Sequence, residues 1–303
     1  MSSPRSLRSI AAILRRPRFR FAAVVLIPTI IWYVVFVVLP VIQTVQISTL
    51  DYQILNPSRS RFIGLQNFER LFANPRFPVA VVNTFVWTIL ALVVIVPISL
   101  VLAQCLVIVR RGRNVYQAFI FLPVVVSLVA IALIFRILMD PEVGFLNKVL
   151  ASIGLPQSQW LSGSESALPT LLGIAAWKAM GVYVVILTAG MLNIPTEIYD
   201  AARVDGATGW QLFRRITLPL LSGTLALVVV LLTIGSLQEY TLPAVVTEGG
   251  PGESTFLYNM LIYDEAFVNV RFGPASAAAL LQFVVILVAS IFWLRLLRSR
   301  WSY

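Results

Sequence analysis

Six long apolar runs, separated by short polar stretches, dominate the pattern along the chain. They lie near Phe21–Val45, Val79–Val109, Asn114–Met139, Ala167–Leu192, Leu218–Val246 and Pro274–Leu297. Each can supply the roughly 20 helical residues that cross a hydrocarbon layer. The second run is long enough to include a helical extension on the polar side. Pro97, Pro123 and Pro243 would break helices in water, but within a bundle neighbouring helices satisfy the carbonyls they free. The pattern predicts an all-α integral membrane protein with six transmembrane helices and no internal repeat.

Composition points the same way. The 303 residues are 59% hydrophobic and 12% charged, with a mean hydropathy of +0.89; a soluble domain carries about 25% charged residues. The single cysteine, Cys105, excludes an intrachain disulfide, and the lack of histidine removes the commonest metal ligand and general base. The first apolar run is longer than the h-region of a secretory signal and no Ala-x-Ala follows it, so no cleaved signal is expected.

The net charge of +10 is sorted by loop. Fifteen arginines fall on one side: six in the first twenty residues, Arg110, Arg111 and Arg113 between runs two and three, Arg203, Arg214 and Arg215 between four and five, and Arg295, Arg298 and Arg300 after run six. The other side holds six basic residues: Arg59, Arg61, Arg70, Arg76, Lys148 and Arg271. By the positive-inside rule both termini are expected in the cytoplasm of a bacterial cell (inner) membrane. Such clusters at membrane edges are anchors, so no nucleic-acid partner is expected.

One polar interruption differs from the rest. "EIYDAARVDGATGWQLFRRITLP", Glu197–Pro219, lies in the predicted cytoplasmic loop between spans four and five. Asn193 and Pro195 supply start signals for a short helix, with Ile198, Ala201, Ala202 and Val204 on a small-residue face. Gly206 suits a left-handed helix end, and Thr208 with Gln211 has capping-box spacing for a second helix holding Trp210, Leu212 and Phe213. The expected product is a helix–elbow–helix joined to span five. Its nearly neutral, alanine-rich face suits a protein cleft better than lipid headgroups.

This stretch resembles the EAA loop of permease subunits in bacterial ATP-binding-cassette importers: Glu-Ala-Ala, three residues, Gly, nine residues, Ile-x-Leu-Pro. Asp200, Ala201, Ala202, Gly206, Ile216, Leu218 and Pro219 fall on the fixed positions, with Asp200 replacing Glu. "FIGLQNFERLF", "NT" at Asn83–Thr84, "FLP" at Phe121–Pro123, "TEGGPGEST" and "FGPASA" are similar to the carbohydrate-type members. The resemblance implies a type I ABC importer permease fold in which the loop is a coupling helix. Asp200, Ala201, Ala202, Arg203, Asp205 and Gly206 would contact an ATPase subunit, with Ile216, Leu218 and Pro219 completing the motif, while Trp210, Leu212 and Phe213 brace the elbow against the bundle. It further implies a second homologous permease, two cytoplasmic ATPase subunits, an extracytoplasmic solute-binding protein, and a sugar, oligosaccharide or polyol derivative as solute. On this reading residues 1–20 form a basic cytoplasmic segment, 21–78 the first span and an outer loop, 79–298 a five-helix core with the coupling loop at 193–219, and 299–303 a cytoplasmic tail.

The chain cannot supply its own energy from ATP. A phosphate-binding loop needs Gly-Lys-Ser/Thr, but Lys148 and Lys178, the two lysines, precede Val149 and Ala179. It is therefore expected not to be an enzyme and to hold no cofactor or metal, with ATP and Mg on the partner ATPase.

Charge at membrane depth points to function. Lys178 stands near the middle of span four, where it can line a solute path or pair with carbonyls. Glu239, with Gln238 and Tyr240, forms a polar cluster on span five that can face the same path. Arg136 is expected to reach the headgroups, and Trp177 and Tyr183 to pack between helices. The glycine-rich loop Glu248–Ser254 is either a contact for the binding protein or a plain turn. A self-sufficient secondary transporter or channel leaves the capped elbow unexplained, and a membrane enzyme lacks a convergent set of catalytic groups.

Overall fold

A computed structural model describes residues 17–109 and 111–297. Residues 1–16 of the basic N-terminal segment, Arg110, Arg298, Arg300 and the 299–303 tail lie outside the described residues.

Span one is α1 (Pro17–Tyr33), continued through a π-turn (Val34–Val38) into α2 (Leu39–Ser48). A two-residue antiparallel ladder pairs β1 (Leu50–Asp51) with β2 (Arg61–Phe62), and α3 (Gln66–Phe72) follows. Span two is α4 (Arg76–Ile108), and span four is α8 (Ala167–Leu192). Between them lie α5 (Arg113–Val125), α6 (Leu128–Leu138) and α7 (Phe145–Ser152). The elbow is α9 (Thr196–Val204) and α10 (Gly209–Leu212). A π-turn (Phe213–Thr217) and α11 (Leu218–Leu220) lead into α12 (Ser222–Leu237) and α13 (Thr241–Val246). Last come α14 (Tyr258–Tyr263), a π-turn (Asp264–Val268) and span six, α15 (Phe272–Leu296).

Among the described residues five helices are long and apolar enough to cross a membrane, and the pair α5 and α6, bent by 88°, makes a sixth span when taken as one. The single third helix expected over Asn114–Met139 is thus corrected. Pro123 has no N–H to give its helix, Val126 is extended (φ −72°, ψ 141°), and Ser127 restarts the chain as the residue before α6. Span five is interrupted more mildly at Gln238–Tyr240.

α4, α8 and α12 form the centre, with α4 on α8 the most extensive contact. Small residues let the backbones approach: Ala80, Ala91, Ala103, Ala176 and Ala226 are all buried. One cluster joins the far parts of α4, α8 and α12 to α6 and α13, and includes Trp87, Ile95, Ile131, Leu171 and Leu242. Another, with Leu106, Leu187, Met191, Leu221 and the half-buried Phe213, sits beside the elbow. Span one lies outside this core. No residue from Val24 to Ile47 is buried, and α2 is held through α15. Its apolar surface fits a chain solvated by lipid.

Candidate coupling elbow and solute path

The elbow stands clear of the bundle on covalent and hydrogen-bonded supports. α9 begins after Pro195, while Asn193 closes the last turn of α8 through N–H to Ala189 O, 3.2 Å. The expected Asn193 cap is therefore corrected: the preceding helix runs on and uses that residue first. Gly206 takes φ +82°. Its N–H bonds Arg203 O (3.0 Å) and the Ala207 N–H bonds Ala202 O (2.9 Å), the Schellman pattern that satisfies orphan carbonyls. The Thr208–Gln211 capping box forms, with the Thr208 N–H donating to Gln211 Oε1 at 3.1 Å. Asp200, Ala201, Arg203, Asp205 and Gly206 are exposed and Ala202 is half-buried. Arg203 and Asp200 pair at 2.8 Å across one turn, both in solvent, so the pair contributes little to stability. Ile216, Leu218 and Pro219 are half-buried where the elbow enters the bundle.

Bracing is uneven. Phe213 packs on the core, but Trp210 is 69% exposed and touches it through Phe213, with which it stacks at 5.6 Å. Bracing by Trp210 is corrected on that ground. A tie that sequence reasoning missed does the fastening. Tyr199 of α9 shares a 3.1 Å hydrogen bond with Thr217 Oγ1, and Thr217 is 2% exposed. The signal was a tyrosine on the coupling segment and a threonine two residues before Pro219. Tyr199→Phe is expected to remove about 1 kcal/mol of attachment and to lower uptake per ATP hydrolysed without unfolding α9, as read by paired flux and phosphate-release assays.

At the far end of the bundle the two interrupted spans meet, α6 packing on α13. Lys178 Nζ donates to Pro123 O (3.3 Å), Val124 O (3.1 Å) and Val126 O (2.8 Å). An ammonium has three donors, so these carbonyls use its full capacity. Glu239 Oε1 accepts the N–H groups of Tyr240 (3.1 Å) and Leu242 (3.0 Å), capping α13. Gln238 is exposed, and its carbonyl accepts from the Asn259 amide; the Gln282 amide donates to Leu237 O at 2.7 Å. Tyr240 packs on Tyr263 with ring centroids 5.1 Å apart. Lys178 thus bonds to span three, whereas Glu239 and Gln238 bond within span five and to Asn259. Arg136, expected to reach the headgroups, is half exposed. It bonds Val245 O at 3.4 Å and approaches Glu248 at 3.6 Å, because the bend brings α6 beside α13. Trp177 packs edge-on against Phe135 at 5.6 Å, and Tyr183 joins the core.

The motifs around span two serve the loop after α13. Asn83 donates to Glu253 O (2.8 Å) and Phe256 O (3.1 Å), while Thr84 Oγ1 accepts the Tyr258 N–H at 2.8 Å. Thr255, fully buried, donates to Gly250 O at 2.8 Å and lies 2.7 Å from the Thr247 hydroxyl. Arg76 links this loop to the α14 segment, 2.7 Å from Glu253 and 3.1 Å from Asp264. Burial pushes the Asp264 carboxyl above its usual range, with Arg76 pulling the other way. The backbone N–H of Val143, then that of Glu142, holds Asp140 below its usual range. Among the described residues no group of three or more Cys, Asp or Glu side chains is placed to hold a metal.

Membrane-length helices with two interruptions at one end and a capped elbow at the other define a permease of the type I importer fold. Residues 95–303 match the family described as the binding-protein-dependent transport system inner membrane component, and the chain belongs to that family. It is 31% identical to the Probable ABC transporter permease protein YurN of Bacillus subtilis, over 90% of this chain and 94% of that one. It is 28% identical to the arabinooligosaccharides transport system permease protein AraP of Bacillus subtilis, over 89% and 86%. Its fold is similar to a chain in the crystal structure of a bacterial alginate ABC transporter in complex with alginate pentasaccharide-bound periplasmic protein. There the TM-score is 0.82 and identity 27%, covering 97% of this chain and 98% of that one. The chain is therefore a membrane-spanning permease subunit of an ABC importer, and members of its family are not themselves enzymes.

Proposed function

We propose that this permease imports a sugar, oligosaccharide or polyol derivative, as one of two homologous permeases served by two cytoplasmic ATPase subunits and an extracytoplasmic solute-binding protein. ATP and Mg belong to the ATPase subunits. The reading places both chain termini and the elbow in the cytoplasm, in keeping with the arginine bias. The observation that carries it is the elbow itself: an exposed, doubly capped helix pair fastened to span five by Tyr199 and Thr217. Asp200, Ala201, Ala202, Arg203, Asp205 and Gly206 dock on the ATPase subunit. Closure of the two ATPases pulls the elbow, and the attached spans turn as stiff bodies to expose the solute site to each side in turn. The saccharide class is supported by the similarity to AraP and to the alginate transporter.

Glu239, Gln238 and Tyr240 line the solute path in this reading, beside the interruption of span five. Glu239→Gln keeps an acceptor for the α13 N–H groups and removes the charge. The subunits should stay together while uptake of the solute changes several-fold; normal uptake with normal stimulated ATP hydrolysis would assign Glu239 to capping alone. The whole reading is tested by reconstituting the chain with and without the subunits that co-purify with it. Solute flux by the chain alone, driven by an ion gradient, would defeat it.

A further inference from the structure

Span three ends its first half in a bend, three of whose carbonyls are met from one neighbouring helix. Three features of α8 converge there. At Gly181 an added Cβ would stand 2.7 Å from Ile120 O and 2.8 Å from Val124 Cγ2, so only glycine admits the α5 backbone this close. Lys178, one turn earlier on the same face, gives its three donors to Pro123 O, Val124 O and Val126 O. A cation at a helix C-terminus also meets the negative end of the α5 dipole. Trp177 then takes the other half of the span through Phe135. Beyond it Arg136 touches α13 through Val245 O and lies 3.6 Å from Glu248, an exposed contact that adds little to the seating.

We propose that Lys178 is a positioning residue: with Gly181 and Trp177 it holds span three broken and keeps α6 seated on α13 at the far end of the permease. Without the ammonium, three carbonyls at membrane depth lose their donors. The segment relieves this by winding toward a continuous helix, as α-helical backbone satisfies itself in lipid. α6 then leaves Phe135 and Arg136 without their partners. Lys178 touches no solute in this role; it fixes the geometry of the helix that borders the interruption of span five.

The test uses the assembled transporter, with its partner subunits, in lipid nanodiscs and needs no solute. Hydrogen–deuterium exchange is followed over residues 121–138 in the parent, Lys178→Met and Lys178→Arg. Lys178→Met should change exchange across Val126–Ile131 at least tenfold, leave 196–217 and 222–237 unchanged, and leave basal ATP hydrolysis measurable. Lys178→Arg, which keeps a charged donor, should restore most of the parent pattern. Unchanged exchange over 121–138 in Lys178→Met overturns the proposal. So does a uniform rise through every span, which marks general loosening rather than positioning. If Lys178→Met does not assemble, Lys178→Ala, which also removes every donor, carries the same comparison, and a parent-like pattern there is equally fatal.

Discussion

Gly206→Val should abolish solute uptake and release the ATPase subunits on purification while leaving the permease in the membrane. The reason is conformational rather than steric. The residue takes φ +82°, and the space where a Cβ would sit is open. The left-handed region costs an L-residue about 1–2 kcal/mol, and more when the side chain is β-branched. The Schellman bonds from Gly206 and Ala207 depend on that conformation. When valine pulls the chain out of it, the carbonyls of Ala202 and Arg203 are freed and α10 swings relative to α9. The docking face then points the wrong way, although no contact residue has changed. A loss of about 1.4 kcal/mol already corresponds to tenfold in binding, so uptake should fall by at least that factor. Asn tolerates the left-handed region, so Gly206→Asn should retain most activity. Co-purification and uptake measured on both variants check the claim; parent-like behaviour of Gly206→Val would separate the elbow from coupling.

The capped elbow was legible because its signals are local. A glycine for positive φ, a Thr-x-x-Gln box and a proline near span five need no knowledge of neighbours. The spans were legible for the same reason, since apolar length is a property of each segment alone. What escaped depends on contacts distant in sequence. "FLPVVVS" contains both a proline and a good N-cap residue, yet whether the chain bends there depends on Lys178, more than fifty residues later, meeting the carbonyls. The family-like "NT" and "TEGGPGEST" regions are joined through Asn83 and Thr84, which hold Glu253, Phe256 and Tyr258 across at least 170 residues of chain, a link no local signal announces. Arg136 stays half exposed, as a long cation near a helix end is expected to, while its contacts with Val245 O and Glu248 arise from the bend, which no local signal announces.

The same dependence on distant partners makes Asn67 the most exposed point of failure for span one. Its amide donates to Ser48 O and Leu50 O, both at 2.8 Å, and the residue is fully buried. It is wedged against Gly273, where a Cβ would lie 2.6 Å from Nδ2 and 2.8 Å from Leu50 O. One side chain therefore joins the end of α2, the β1–β2 ladder, α3 and the start of span six. Asn67→Leu preserves the volume but strands the carbonyls of buried Ser48 and half-buried Leu50, at about 1–3 kcal/mol for the buried one and less for the other. The sum is expected to exceed the local stability of a two-residue ladder, because isolated hairpins are marginal at best. Exchange of the Ile63 amide, which donates to Thr49 O at 3.0 Å beside the ladder, should rise by roughly a hundredfold, equivalent to about 2.8 kcal/mol, and protease should cut within residues 49–66. Asn67→Asp should fail in the same way, since an ionised carboxylate offers no donor to either carbonyl. If Asp is tolerated, the fastening rests on packing with Gly273 rather than on the two hydrogen bonds.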